Sequence, residues 1–134
     1  MLAHKDIEKV QVIGNSVKLN IDRGNLIGTE QLNINITANW SFSAVRNDWR
    51  GVKSKVNYIL KSNVVQGEIE FEIIVDLNRE ATKEELEQKE AQKLIVLFSA
   101  SHFVQWVSDI TSRMGVSPLI IDLKFVENLI TSSK

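Results

Sequence analysis

From Leu32 to Ala44 every second residue is apolar: Leu32, Ile34, Ile36, Ala38, Trp40, Phe42 and Ala44 alternate with Asn33, Asn35, Thr37, Asn39, Ser41 and Ser43. Period two is the repeat of a strand with one buried and one wet face. The segment is longer than a typical strand, so a bulge or strong twist is expected in it. A second alternation runs from Glu68 to Leu77, with Ile69, Phe71, Ile73, Val75 and Leu77 on one face and Glu68, Glu70 and Glu72 on the other. Between the two lies Lys53 to Lys61, with Val56, Tyr58 and Leu60 sharing a face. Polar connectors at Arg46 to Gly51 and Ser62 to Gly67 are short, which favours sequential antiparallel neighbours in a meander. Val10 to Ile13 and Val17 to Ile21 bracket Gly14–Asn15, a pattern that fits either a hairpin or one bulged strand. Gly24 to Glu30 reads as a loop.

Beyond Leu77 the period changes. Thr82 followed by Glu85 forms a capping box that opens a helix, and Glu84, Glu85, Glu87 and Glu90 crowd its first turns. Ile95, Phe98, Phe103, Val107, Ile110 and Met114 then recur at helical spacing, with a break expected around Ser99 to Ser101. Gly115 is a natural C-cap, with the single Pro118 just past it. Leu119 to Leu123 is extended or irregular, and Phe125 to Ile130 predicts a short last helix. The expected architecture is α+β: one domain over residues 1–134, a four-stranded antiparallel meander sheet packed by C-terminal helices. Leu32, Ile34, Ile36, Trp40 and Phe42 are expected to pack against Phe103, Val107 and Ile110.

Composition narrows the function. At 134 residues, with 43% hydrophobic and 25% charged residues, the chain is in the range of one globular domain. Lys and Arg number 16 against 17 acidic residues, so the overall basic excess typical of a nucleic-acid domain is missing. With no cysteine, there are no disulfides, thiol nucleophiles or Cys-ligated zinc. Neither a signal peptide nor a membrane span is read from the apolar runs, and a cytoplasmic location is expected.

Candidate chemistry is sparse. His4 and His102 are the only histidines, and no paired ligand spacing accompanies either. The acids between Thr82 and Glu90 alternate with Lys83 and Lys89, the pattern of a solvated helix face. Glu68, Glu70 and Glu72 decorate the wet side of a strand; a docking patch for a basic partner is the second reading of them and catalysis a distant third. The glycines are scattered, with no phosphate loop and no nucleophile elbow. No enzyme, cofactor or metal site is expected. The aromatic residues remain. Trp40 and Phe42 read first as core; Trp49 sits in a polar connector, where an exposed indole marks a contact surface and one that folds back covers the sheet edge.

The stretch from Leu97 to Ile130, LFSASHFVQWVSDITSRMGVSPLIIDLKFVENLI, resembles the SecB family of bacterial export chaperones in its long helix, small-residue turn, Pro, aliphatic triplet and short Phe-containing helix. Met114, Gly115, Pro118, Leu119, Ile120, Ile121 and Leu129 carry the likeness, and the strand layout from Leu32 to Leu77 is similar in spacing. The family's second proline and Asn-Phe pair are replaced around Leu123 and Lys124–Phe125, and its acidic tail is absent. The resemblance implies a protein-binding module: an ATP-independent holdase taking apolar segments of unfolded clients, in a homo-oligomer, a dimer or a dimer of dimers. The alternatives are an adaptor on the same fold for one folded partner, or a small-ligand binder. The residues expected to meet a client are Trp49 and Trp106 first, then Trp40, Phe42 and Tyr58. No nucleic acid or membrane insertion is expected.

Overall fold

The computed structural model describes residues 2–21, 34–44, 50–62, 64–113 and 119–132. Four strands form one antiparallel sheet: β1 (Ile7–Ile21), β2 (Asn35–Ala44), β3 (Gly51–Lys61) and β4 (Val65–Leu77). Their order across the sheet is β1-β4-β3-β2. The last three form the expected meander. The first lies beyond β4 rather than beside β2, so strands consecutive in sequence occupy opposite edges, a Greek-key arrangement.

β1 settles the ambiguity around Gly14–Asn15. It is a single strand whose pairing with β4 shifts between Gly14 and Ser16. Before the shift Val10, Val12 and Gly14 face Val75, Ile73 and Phe71; after it Val17, Leu19 and Ile21 face Ile69, Gly67 and Val65. The unpaired Asn15 moves the apolar set from even to odd positions while keeping it on one face. Of the bulge or strong twist expected in the long 32–44 segment, no bulge occurs in the described part, since β2 pairs with β3 in unbroken register from Asn35 to Ala44.

The inner face of the sheet joins Ile36, Trp40 and Phe42 of β2 to Val52, Val56, Tyr58 and Leu60 of β3, then to Ile69, Phe71, Ile73 and Val75 of β4. Helices α1 (Lys83–Glu87), α2 (Lys89–Val96), α3 (Ala100–Arg113) and α4 (Leu123–Thr131) accompany it. A 3-10 turn at Leu97–Ser99 joins α2 to α3, where the serines forecast a break. Ala91, Ile95, Val96, Ala100, Phe103 and Val107 are buried, while Lys89, Glu90, His102, Gln105 and Asp109 are exposed. That division marks an amphipathic core helix.

Which strand each helix faces differs from expectation in one respect. Phe103 stacks on Tyr58 of β3, centroids 4.2 Å apart and 14° from parallel, and Trp106 meets Phe71 of β4 at 5.0 Å. Trp40 of β2 instead donates its indole N–H to Gln92 of α2 at 3.2 Å. The helical period defines the apolar face of α3, and the aromatic residues that meet it lie on the two central strands β3 and β4 rather than on the edge strand β2. Leu32 lies outside the described residues, as do Gly24 to Glu30, Gly115 and Pro118.

The outer sheet face is wet, as the glutamate alternation required. Lys53 pairs with Glu72 at 2.6 Å, and Asn15 donates to Glu70 and Glu72 at 3.4 and 3.3 Å.

The capping box at Thr82 is present: Glu85 N–H donates to the Thr82 hydroxyl at 3.1 Å, and Thr82 N–H to the Glu85 carboxylate at 3.1 Å. Arg79 adds a second tether. Its guanidinium donates to both oxygens of Glu85, at 2.9 and 2.6 Å, and to both oxygens of the buried Asp6, at 3.3 and 3.4 Å. Asp6 also accepts from Ala3 N–H at 3.0 Å. The clasp joins the turn before β1 to the start of α1.

Asp6 is held below its ordinary value by the Ala3 N–H first and Arg79 next. Glu85 is held down to about 2 by Arg79 first and the Thr82 N–H next. A carboxyl whose folded pKa is depressed contributes stability that is complete above its unfolded pKa and disappears as pH falls through the folded one. For Glu85 the window opens at its ordinary 4.5 and runs down towards 2. Melting temperature is therefore expected to fall across this window, and to fall less in Arg79→Met, which has lost the pairing. Parallel pH profiles for parent and variant would contradict this role of the clasp.

Candidate functional site

Trp106 lies on the half-buried flank of α3, one turn beyond the exposed His102. Its indole reaches over the sheet to Phe71, and on β1 it finds no side chain at Gly14, which pairs with Phe71. A Cβ built at Gly14 would stand 1.8 Å from the Trp106 ring. The glycine is thus the seat of the indole, and the bulge beside it sets the following Val17 on the same face.

Val17, Trp106, Ile110, Asp109 and Arg113 line an open cleft of about 530 Å³ between β1 and α3. Its floor is apolar and aromatic; its charged groups are Asp109 and Arg113, one helical turn apart. Gln105 donates to Asp109 at 3.0 Å. β1 is an edge strand, paired only with β4 among the described residues, so the cleft opens beside an unpaired sheet edge.

A smaller open cleft of about 230 Å³ occupies the other side, where Trp40, Ser41 and Phe42 of β2 meet Lys83, Leu86, Glu87 and Gln92. Gln92 organises it, accepting from Trp40 and donating to the Leu86 carbonyl at 2.9 Å across the break between α1 and α2. Leu86, in a segment whose sequence shows little apolar surface, is buried.

The five aromatic candidates separate clearly. Trp106 lines the larger cleft, and Trp40 and Phe42 line the smaller. Tyr58 is a correction: it is fully buried, stacked on Phe103, with its hydroxyl 2.6 Å from Ser99 Oγ. Burial pushes its phenol up to about 12, against a smaller opposing effect of the Ser99 hydrogen bond. Its alternation already placed it on the apolar face of β3; the hydroxyl is satisfied internally, so the tyrosine serves the core. Trp49 lies outside the described residues.

Val17, Asp109 and Arg113 were not singled out by sequence. Asp109 and Arg113 stand three and seven residues after Trp106, so the helical frame itself would have found them. Ile120, Leu123 and Phe125, around the start of α4, are large apolar residues left exposed. Among the described residues no group of three or more His, Asp or Glu is placed to hold a metal ion.

The sheet order and helical layer are those of a SecB-like fold. One structure sharing it is the Mycobacterium tuberculosis Rv1957 SecB-like chaperone, solved in complex with a ChAD peptide from the Rv1956 HigA1 antitoxin. The match has a TM-score of 0.67 at 16% identity and covers 87% of this chain and 86% of that one. A protein of unknown function from Streptococcus agalactiae aligns over 85% of this chain and 97% of its own, at 12% identity and a TM-score of 0.44. No family model and no curated protein matches the sequence.

Proposed function

We propose that the protein is a polypeptide-binding module of the chaperone type, taking extended apolar segments into the cleft between β1 and α3. The observation that carries this reading is the open, Trp106-floored cleft beside a strand edge that is unpaired among the described residues. An extended segment can add to a free edge through main-chain hydrogen bonds while every second side chain turns towards the cleft. A small ligand would favour an enclosed pocket, whereas this cleft is open to solvent. The peptide carried by the Mycobacterium tuberculosis chaperone of the same fold supports a polypeptide ligand here. The reading requires no nucleotide.

The test uses apolar peptides and an unfolded client. The parent is expected to bind the peptides in fluorescence anisotropy and to suppress client aggregation without ATP. Trp106→Ala should weaken peptide binding by about ten-fold or more, the scale of an aromatic hot spot. Equal affinity in parent and variant would exclude the cleft as the site, and a parent that binds no peptide would end the proposal.

A further inference from the structure

Arg113 is the last residue of α3, exposed at the mouth of the cleft, and no ion pair or hydrogen bond engages its side chain among the described residues. The carboxylate nearest it in sequence on the cleft wall is Asp109, four residues earlier. Asp-to-Arg at that spacing ordinarily pairs along a helix. Here Asp109 accepts instead from Gln105 on the preceding turn, at 3.0 Å, and no ion pair joins it to Arg113. On the β1 side the lining residue is Val17, while Ser16 and Lys18 alternate to the outer face opposite Glu70 and Glu68. Among the described residues the cleft therefore offers a planar cation that no protein carboxylate pairs with.

We propose that the cleft selects apolar polypeptide segments carrying an acidic side chain near the apolar anchor, and that Arg113 reads that carboxylate. The inference rests on the polypeptide-binding reading above. Guanidinium is suited to carboxylate because its fork of donors matches the two oxygens. Position follows from helix and strand geometry. Trp106, Ile110 and Arg113 stand at intervals of four and three on one helical face, so the arginine lies about 10 Å along the axis from the tryptophan. An extended segment advances about 3.3 Å per residue and returns to the same face every second one. An anchor on Trp106 thus brings the residue two or four positions away within reach of the arginine side chain. Specificity would come from the carboxylate and affinity from the apolar floor.

The experiment uses three fluorescein-labelled peptides, identical except for Glu, Gln or Lys two positions from a single Phe, with a second set placing the variable residue four positions away. In at least one set the parent is expected to bind the Glu peptide about three- to five-fold more tightly than the Gln peptide, the scale of a partly exposed ion pair. The Lys peptide should bind most weakly. Arg113→Gln should remove the Glu preference and Arg113→Glu should turn it towards Lys, with melting temperatures unchanged because the side chain is exposed. Asp109→Asn should strengthen Glu-peptide binding by removing a like charge. Independently of any variant, added KCl should reduce the Glu advantage in the parent while leaving the Gln peptide nearly unaffected. Indiscriminate binding by the parent in both sets, or a Glu preference that survives Arg113→Gln, overturns the role of Arg113 and leaves the polypeptide reading intact. Failure of the parent to bind any of the peptides overturns both.

Discussion

Gly67→Ala is expected to lower the melting temperature by about 10 °C. Gly67 sits inside β4, between Leu19 of β1 and Leu60 of β3, with φ at +153°, a conformation that residues with a Cβ rarely adopt. A non-glycine residue held in a sparsely populated region costs about 1–3 kcal/mol. Space adds to conformation. A Cβ there would stand 1.7 Å from the carbonyl oxygen of Lys18, on the backbone of the neighbouring strand, and backbone cannot swing aside as a side chain can. Together these place the loss at about 3 kcal/mol, and a domain of this size loses about 3 °C per kcal/mol. Thermal denaturation followed by circular dichroism measures it. An alanine variant melting within 2 °C of the parent would mean that the strand relaxes freely at this point.

Phe103→Ala is expected to be as damaging or worse. The ring is fully buried, stacked on Tyr58, which itself meets Phe71 edge-on at 6.1 Å. Removing a buried phenylalanine costs about 3–5 kcal/mol, and more of that range is reached where the walls cannot collapse. Here one wall is the tyrosine, pinned through its hydroxyl to Ser99, which also donates to the Val96 carbonyl at 2.7 Å. Urea denaturation should show a lower midpoint with an unchanged slope. The comparison with Trp106→Ala is informative: the half-buried Trp106 should lose mainly binding, and Phe103 mainly stability. Equal stability losses in the two would place Trp106 in the core rather than at a binding surface.

The strands β3 and β4 were legible because each alternates over a span with one wet face, and the Thr82–Glu85 box announced α1 through local chemistry alone. Gly14–Asn15 was not decidable locally. A tight turn and a bulge draw on the same residues, and only the register against β4, more than fifty residues away, chooses between them. The position of β1 next to β4 was hidden for the same reason: alternation tells which face a strand buries but not which neighbour it takes. At the site, helical spacing brought out the stripe of Phe103, Val107 and Ile110, and Trp106 beside it lines a cleft. Its seat on Gly14 was invisible, because what matters there is a missing side chain on another element. Tyr58 was misjudged because a hydroxyl on an aromatic ring suits a wet surface and a core equally well; the buried Ser99 that satisfies it lies on the turn before α3.

The displaced Asn15 has a consequence for how copies of this protein behave in a crowded solution. An uninterrupted outer strand of fifteen residues would present about 50 Å of straight backbone donors and acceptors, a template on which strands from other molecules could stack without limit. The extra residue bends that rim near its midpoint and leaves the runs Lys9–Gly14 and Ser16–Ile21 out of step with each other. An incoming straight strand can match one run and must lose the other. The residue that keeps Val17, Leu19 and Ile21 facing the core thereby also makes the edge a poorer template for stacked strands, better matched to a short segment than to a long one.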